Sequence, residues 1–327
     1  MVRIGILGAG AIAGTMADTI RRMNAAGNNS VSLYAVASRN QEKAEAFAKK
    51  EGVEKAFGSY EAMLADDALD LVYIATPHSH HYEHIKLCLE HGKHVLCEKA
   101  FTVNAAQARE VCTLAEQKGL LLTEAIWTRY QPMRTMISEL LASGIVGEAR
   151  MLTANLGYAI TGKERIILPE LAGGALLDVG VYTLNFADMV FGQPDSVQAV
   201  CQKSDLGVDL QDSYTLLYKD GRMAVLCAGT TGISDRYGII HCTKGFVQVE
   251  NINNPQKISV YDSSYRLIKE LPCPAQLTGY EYEVQEAADA ITAGRTECAS
   301  MPHADTVRIM ELMDSIRAQF GLRYPCE

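Results

Sequence analysis

The sequence predicts an α/β protein with a doubly wound parallel sheet at the N-terminus. An α+β domain with a large, mainly antiparallel open sheet follows it. Three observations support this prediction: strand and helix patterns alternate along the first third of the chain, a glycine-rich turn follows the first apolar strand, and a later series of strand patterns has no helices between its members. The chain of 327 residues is too long for one ordinary hydrophobic core and about right for two.

The N-terminal elements are predicted from their hydrophobic periodicity. Val2–Leu7 is a continuous apolar run, as expected of a strand that is buried on both faces of a parallel sheet. Further strands are predicted at residues 31–37, 69–75, 94–97 and 120–124, and helices at residues 12–23, 41–51, 60–65, 80–91 and 105–118. Because strands and helices alternate, the sheet they form is expected to be parallel.

The pattern changes after Ile126, where strand patterns begin to follow one another directly. Helices are predicted at residues 132–143, 175–191, 280–293 and 303–320, and strands at residues 149–157, 197–203, 213–218, 223–230, 238–242, 246–250, 257–261 and 266–270. Such a series predicts a largely antiparallel sheet. We therefore expect two domains, 1–124 and 125–327, with a last helix at about 303–320 that can pack back on the first domain.

Composition excludes several classes of partner. The net charge of −9 disfavours nucleic acid, which needs a basic face. No apolar run is expected to span a bilayer, and the strand pattern that starts at Val2 leaves no room for a signal peptide. The nine cysteines are scattered and form no C-x-x-C pair, as expected of buried thiols in a reducing compartment. A cytoplasmic location is the expectation.

A dinucleotide-binding turn is predicted between the first strand and the first helix. Gly8, Gly10 and Ala13, with Ala11 and Ile12 between them, fit the pattern G-x-G-x-x-A. The first glycine permits the tight turn, and the second lets the backbone approach a pyrophosphate at the helix N-terminus. On these residues we predict a Rossmann domain; a glycine turn without a ligand is the alternative.

The end of the second strand distinguishes NADP from NAD. An acidic residue at this place binds the ribose 2′-hydroxyl of NAD. This chain has Ser38 and Arg39 there instead, with Lys43 one turn further on. Since an arginine pairs with a 2′-phosphate through charge-assisted hydrogen bonds, we expect NADP, with NAD as the alternative. Arg39 as a solvated surface charge is the structural alternative.

Oxidation of an alcohol also requires a group that removes the hydroxyl proton. Lys99 follows a strand whose carboxyl end should face the cofactor cleft, although it is also compatible with a surface loop. Asp178 and Tyr182 are four residues apart on a predicted helix, so both can face one way. A nearby ammonium would favour the tyrosinate, which makes Lys99 and Tyr182 a stronger prediction together than singly. Tyr182 as a half-buried core residue is the alternative.

Five segments resemble the Gfo/Idh/MocA oxidoreductase family. They are residues 5–13, 75–81, 92–100, 124–132 and 173–182. The Trp-Thr-Arg segment and the tyrosine at 182 are most similar to the dimeric dihydrodiol dehydrogenase branch, which is NADP-dependent. The resemblance implies catalytic roles for Lys99, Asp178 and Tyr182, with Lys99, Trp127, Asp178 and Tyr182 at the substrate. It also implies that the cofactor contacts are Thr76, Pro77, His78, His81, Glu98, Lys99, Trp127 and Arg129.

Two departures from the family pattern bear on these residues. Ala100 stands where proline is usual, so we expect a less rigid loop around Lys99. His78 stands where asparagine is common. His80 and His84 have the spacing of a zinc-binding pair, but a site also needs a third ligand and oriented partners, so no metal is expected.

The resulting expectation is an NADP-dependent enzyme that transfers a hydride between nicotinamide and a hydroxyl or carbonyl carbon. The expected substrate is a sugar, a polyol or a trans-dihydrodiol, and a homodimer or larger homo-oligomer is expected. Strand residues Val225, Cys227, Ile239 and Val247 are predicted to leave an apolar sheet face open for this pairing. A non-catalytic dinucleotide-binding regulator and an NAD-dependent glycosidase are the alternatives.

Overall fold

The computed structural model describes residues 1–327 as two compact units. The first unit comprises Met1–Tyr130 and Gln276–Val307, and the second comprises Gln131–Ala275 and Arg308–Glu327. The first unit therefore includes residues 276–307, which the sequence placed in the second domain. The physical reason is a helix in this segment, Glu281–Thr292, whose apolar side packs against the second strand and first helix of the parallel sheet.

The first unit contains a six-stranded sheet in the order β3-β2-β1-β4-β5-β6, with every neighbouring pair parallel. Its strands are β1 Val2–Leu7, β2 Val31–Ala37, β3 Lys55–Phe57, β4 Leu71–Ile74, β5 His94–Glu98 and β6 Leu122–Ala125. Its helices include α1 Ala11–Ala25, α2 Gln41–Glu51, α3 Tyr60–Leu64, α4 His81–Glu90 and α5 Ala105–Lys118. This is the predicted doubly wound sheet. Only β3 was missed, because three partly exposed residues carry no readable periodicity.

The second unit contains an eight-stranded sheet in the order β14-β13-β12-β11-β7-β10-β9-β8. Its strands are β7 Ala149–Gly157, β8 Ser196–Lys203, β9 Asp209–Leu217, β10 Met223–Gly229, β11 Gly238–Cys242, β12 Gly245–Glu250, β13 Lys257–Asp262 and β14 Leu267–Pro272. Neighbours are antiparallel except for β7 and β10, which are parallel. The predicted open, mainly antiparallel sheet is confirmed.

The helices of the second half begin with α6 Pro132–Ala142, α7 Glu164–Ile167 and α8 Val181–Phe191. The helix packed in the first unit is α9 Glu281–Thr292, and the last helix is α10 His303–Phe320. The predicted regular helix at 175–191 is wrong in its first part, because Leu176–Gly180 forms a π-helical turn before α8. This wider turn contains Asp178, and π-helical turns are frequent at functional sites.

One helical stretch, Pro169–Phe191, is long and apolar enough by length and composition to cross a membrane. The expectation that no such run exists is therefore wrong. However, 89% of its most apolar window is buried within the protein, as in a core helix, and a single stretch of this kind is weak evidence for a membrane span.

The large sheet has one covered face and one open face, as its alternating burial shows. On β10, Ala224 and Leu226 are fully buried, whereas Val225 is half-buried and Cys227 is exposed. Ile239 is half-buried as predicted. Val247 was predicted on the open face and is not there, since it is fully buried opposite the equally buried Ile240. Side chains alternate between the two faces of a strand, so the residues directly before and after Val247 in β12 lie on the open face instead.

Candidate active site

The turn between β1 and α1 has the geometry of a pyrophosphate cradle. Gly8 has a φ of +106°, and a Cβ there would lie 3.0 Å from the carbonyl oxygen of Ala75. A Cβ on Gly10 would meet nothing within 4 Å, so the backbone is open to a ligand. Helix α1 starts directly after it without a side-chain cap, which leaves the first backbone N–H groups, those of Ala11 and Ile12, facing the turn. These residues fit a dinucleotide.

Helix α2 begins beside the end of β2, where the sequence predicts the ribose site. Ser38 is buried, while Arg39 and Lys43 are exposed and carry positive charge at this strand end. The side chain of Asn40 accepts a hydrogen bond of 2.9 Å from the backbone N–H of Lys43 and so caps the helix. The strand end itself carries no carboxylate that would repel a phosphate.

His81 holds two loops of the site together. Its ring lies between the carbonyl oxygens of Thr76 and Ala100, with 2.8 Å from a ring nitrogen to each. The side chain is fully buried, and burial lowers its pKa despite these hydrogen bonds. His81 therefore fixes the loop after β4 to the loop after β5, where Ala100 is itself fully buried. The Lys99–Ala100 peptide is cis.

The His81 ring contacts the carbonyl of Ala100, the residue that replaces proline, and so ties down the loop after Lys99. The lower rigidity expected of this loop stays a prediction. Glu98, the last residue of β5, accepts a hydrogen bond from the hydroxyl of Tyr73 and is buried. Lys99 is half-buried at the carboxyl end of the strand, as predicted. Thr76 and Pro77 are half-buried in the loop after β4, and His78 is buried there.

Trp127 and Arg129 form a short 3₁₀ turn after β6 and are both buried. The Trp127 ring stacks on Tyr280 with 4.1 Å between ring centroids, and Arg129 pairs with Asp305 at 3.3 Å. Both partners come from residues 276–307. Sequence reasoning missed them because they lie about 150 or more positions away and carry no motif. Glu124 is buried nearby, and burial raises its pKa to about 7 against the opposing charge of Arg129.

In the second unit, Asp178 lies in the π-helical turn and Tyr182 in the first turn of α8. Their relative exposures are 4% and 8%. Arg165 forms an ion pair and hydrogen bond with Asp178 and orients its carboxylate. Arg165 lies in the short helix α7, which the sequence analysis did not predict, and no sequence signal identified it.

Asp209, the first residue of β9, holds the start of the π-helical turn through a hydrogen bond. Its carboxylate accepts a hydrogen bond of 2.6 Å from the backbone N–H of Leu176. Gly174 has a φ of +124°, and a Cβ there would lie only 2.1 Å from an oxygen of Asp209. The glycine that precedes the turn is therefore required by a close approach of carboxylate to backbone. Neither Asp209 nor this contact is readable from the sequence.

A parallel sheet of this order, an anion-binding turn after β1 and a lysine at the end of β5 define an oxidoreductase with an NAD(P)-binding domain. Residues 2–126 match the family described as "Oxidoreductase family, NAD-binding Rossmann fold", and residues 135–248 match the "GFO/IDH/MocA C-terminal domain". The chain belongs to the GFO/IDH/MocA oxidoreductase family, which confirms the resemblance seen in the sequence.

Relatives extend along the whole chain. The trans-1,2-dihydrobenzene-1,2-diol dehydrogenase of Mus musculus is 32% identical, with 99% of this chain and 98% of the relative covered. The enzyme of the same description from Xenopus tropicalis is 33% identical, with 90% and 91% covered.

Solved structures show the same fold. A 3-ketoreductase from Actinomadura kijaniata, in complex with NADP and TDP-benzene, has a TM-score of 0.86 and 25% identity over 97% of both chains. The UDP-N-acetylglucosamine 3-dehydrogenase of Acidithiobacillus ferrooxidans has a TM-score of 0.79 and 20% identity over 97% of this chain and 98% of that chain.

Proposed function

We propose that the protein is an NADP-dependent dehydrogenase or reductase that acts on a hydroxyl or carbonyl carbon of a trans-dihydrodiol, a sugar or a polyol. The observation that carries this proposal is the combination of a pyrophosphate cradle, a half-buried Lys99 and an Arg165-held Asp178 beside Tyr182. Full-length similarity to dihydrodiol dehydrogenases supports the diol, and similarity to a 3-ketoreductase solved with NADP supports an NADP-linked reaction at a hydroxyl or carbonyl carbon.

When bound, the nicotinamide supplies the hydride acceptor or donor. The chain's own residues have three tasks. Tyr182 exchanges a proton with the substrate hydroxyl, the ammonium of Lys99 favours the tyrosinate, and Asp178 accepts a hydrogen bond from the substrate. Because the carboxylate of Asp178 is already hydrogen-bonded to Arg165, we assign it to orient the substrate and assign the proton transfer to Tyr182.

A substrate screen tests the proposed activity. Trans-dihydrobenzenediol, pentoses, hexoses and polyols would each be supplied with NADP⁺ and with NAD⁺, and the absorbance of the reduced nicotinamide would be followed. Turnover with at least one diol or sugar is the expected result. Tight cofactor binding without turnover across the panel would favour the non-catalytic regulator instead. A redox-neutral cleavage of glycosides with retained NAD would favour the glycosidase.

We predict that Arg39→Asp reverses the cofactor preference from NADP⁺ toward NAD⁺. The variant removes a charge-assisted contact to the 2′-phosphate and adds a carboxylate that repels it. Losing such a contact costs about 1.5–3 kcal/mol, roughly 10- to 150-fold in affinity. The measurement is the ratio of the two dissociation constants. Lys49→Asp, an equal charge change on the exposed far end of α2, is the control and should leave the ratio unchanged.

We also infer a homodimer that pairs through the open face of the large sheet. This face carries the half-buried Val225 and Ile239 and the exposed Cys227 in strands at the centre of the sheet. Sedimentation at micromolar concentration should give twice the chain mass of 35.7 kDa. Cys227→Glu should shift the protein toward monomer, and Leu206→Glu, in an exposed turn, should not. A monomeric wild-type protein contradicts the inference.

A further inference from the structure

Two histidines without a role in the site above lie where β4 leads into α4. The rings of His80 and His84 are 5.7 Å apart between centroids and meet edge to face. His84 also meets the ring of Tyr60 edge to face at 4.9 Å, and its Nδ1 lies 3.0 Å from the hydroxyl oxygen of Thr76. All three rings are partly exposed, so they border open space and do not form a closed core.

The sheet order places these rings around the end of β2. Strands β2, β3 and β4 are parallel, so their carboxyl ends lie at one edge, with β1 and its glycine turn between β2 and β4. Arg39 follows β2, Tyr60 follows β3, and His80 and His84 follow β4. The contact between Tyr60 and His84 therefore joins the helices that follow β3 and β4. Strands β3 and β4 lie on opposite sides of β2, the strand that Arg39 follows.

Arg39, at the end of β2, is the permanent positive charge that acts on His80, His84 and Tyr60. The titratable rings of His80 and His81 also act on His84, and Glu61 acts on Tyr60 from α3. Burial dominates the pKa of each ring. It raises the pKa of Tyr60 and lowers that of His80. Burial, with smaller effects of His80, His81 and Arg39, lowers the pKa of His84 to about 4. The free protein therefore disfavours the charged form of both imidazoles.

We propose that His80 and His84 complete, with Arg39, a proton-linked binding site for a phosphomonoester, which is the ribose 2′-phosphate of NADP. This inference rests on the proposed function and adds to it a dependence of cofactor choice on pH. A phosphomonoester carries a charge of about −1.5 to −2 and accepts several hydrogen bonds. Placed among these rings, it opposes the effect of Arg39 and stabilises the imidazolium form, so binding takes up protons.

The sign of the pH dependence follows from this linkage. Protonation of the imidazoles stabilises the complex with the phosphate. In the free protein, burial makes the same protonation unfavourable. Affinity for NADP⁺ therefore rises as the pH falls through the pKa values of the imidazoles in the complex, which lie above those of the free protein. NAD⁺ lacks the 2′-phosphate, so its affinity should change little. A shift of one pKa unit corresponds to about tenfold, and we expect NADP⁺ to bind about tenfold more tightly at pH 6 than at pH 8.

Isothermal titration calorimetry of the full chain tests the inference. NADP⁺ and NAD⁺ would be titrated at pH 6, 7 and 8 in buffers of different ionisation enthalpy, which also reports the number of protons taken up. His80→Gln with His84→Gln should abolish most of the extra proton uptake with NADP⁺ and flatten its pH dependence. His91→Gln, an exposed histidine at the end of α4, is the matched control and should behave as wild type. His80→Gln alone serves if the double variant fails to fold, and it should reduce the proton uptake in part.

The outcomes separate the two proposals. If wild type prefers NADP⁺ but the histidine variants keep its pH dependence and proton uptake, the histidine site is wrong and the NADP assignment stands. If wild type binds NADP⁺ no more tightly than NAD⁺ at any of these pH values, the NADP assignment fails and the histidine site with it.

Discussion

Tyr182→Phe is expected to lower turnover by about 10²–10⁴, the usual contribution of a positioned acid or base, while cofactor affinity stays nearly intact. The substitution removes only the hydroxyl, and the ring continues to fill its buried place at the start of α8. Steady-state kinetics with the best substrate of the screen and calorimetry with NADP⁺ would measure the two effects separately.

A matched control exists in the same unit. The hydroxyl of Tyr218 donates to the carbonyl of Gly192, so Tyr218→Phe removes one buried hydroxyl outside the proposed site and should leave turnover near wild type. Equal losses in both variants would point to a general structural effect. Retention of most activity in Tyr182→Phe would assign the proton transfer to another group, of which Lys99 is the first candidate.

Lys99→Met is the second variant for which we expect a large effect. Methionine keeps most of the length of the side chain and removes its charge. Turnover should fall, and the pH optimum for oxidation should move upward, because a free tyrosine loses its proton only near pH 10. The pH profile of kcat/KM, from pH 6 to 10.5, distinguishes this from a loss of folding, which would lower activity at every pH. Lys118→Met, at the exposed end of α5, is the control.

The double variant decides whether Lys99 and Tyr182 serve one step. If they do, Lys99→Met with Tyr182→Phe loses little more than the worse single variant, because groups that act as a unit are not additive. If Lys99 is itself the base, Lys99→Met alone loses almost all activity and Tyr182→Phe retains most of it. Near-normal turnover in both single variants removes the proposed mechanism.

Much of the first unit was predictable because its elements carry local signals. The buried run of β1, the turn at Gly8 and Gly10, and the lysine after β5 are each recognisable from a few neighbouring residues. Strand β3 escaped prediction because three partly exposed residues are too few to show a period. The end of β2 was likewise predictable in its charge, although its cofactor preference stays a prediction.

The parts that sequence reasoning missed depend on long-range contacts. Tyr280 stacks on Trp127, and Asp305 forms an ion pair with Arg129. Asp209 accepts a hydrogen bond from the start of the turn that contains Asp178. Each contact joins residues that are more than 30 positions apart. No periodicity or motif links such residues, and only the packing of the chain brings them together.

The sequence by itself determined the class of fold, the nucleotide-binding turn and the identity of Lys99, Asp178 and Tyr182 as candidates, since these follow from local pattern and family motif. The tertiary structure alone decided which face of a strand is open, as with Val247. It also revealed the π-helical turn at Leu176–Gly180 and the return of residues 276–307 to the first unit. These features arise because burial and hydrogen bonding are satisfied over the whole fold, and a short segment carries no record of its distant partners.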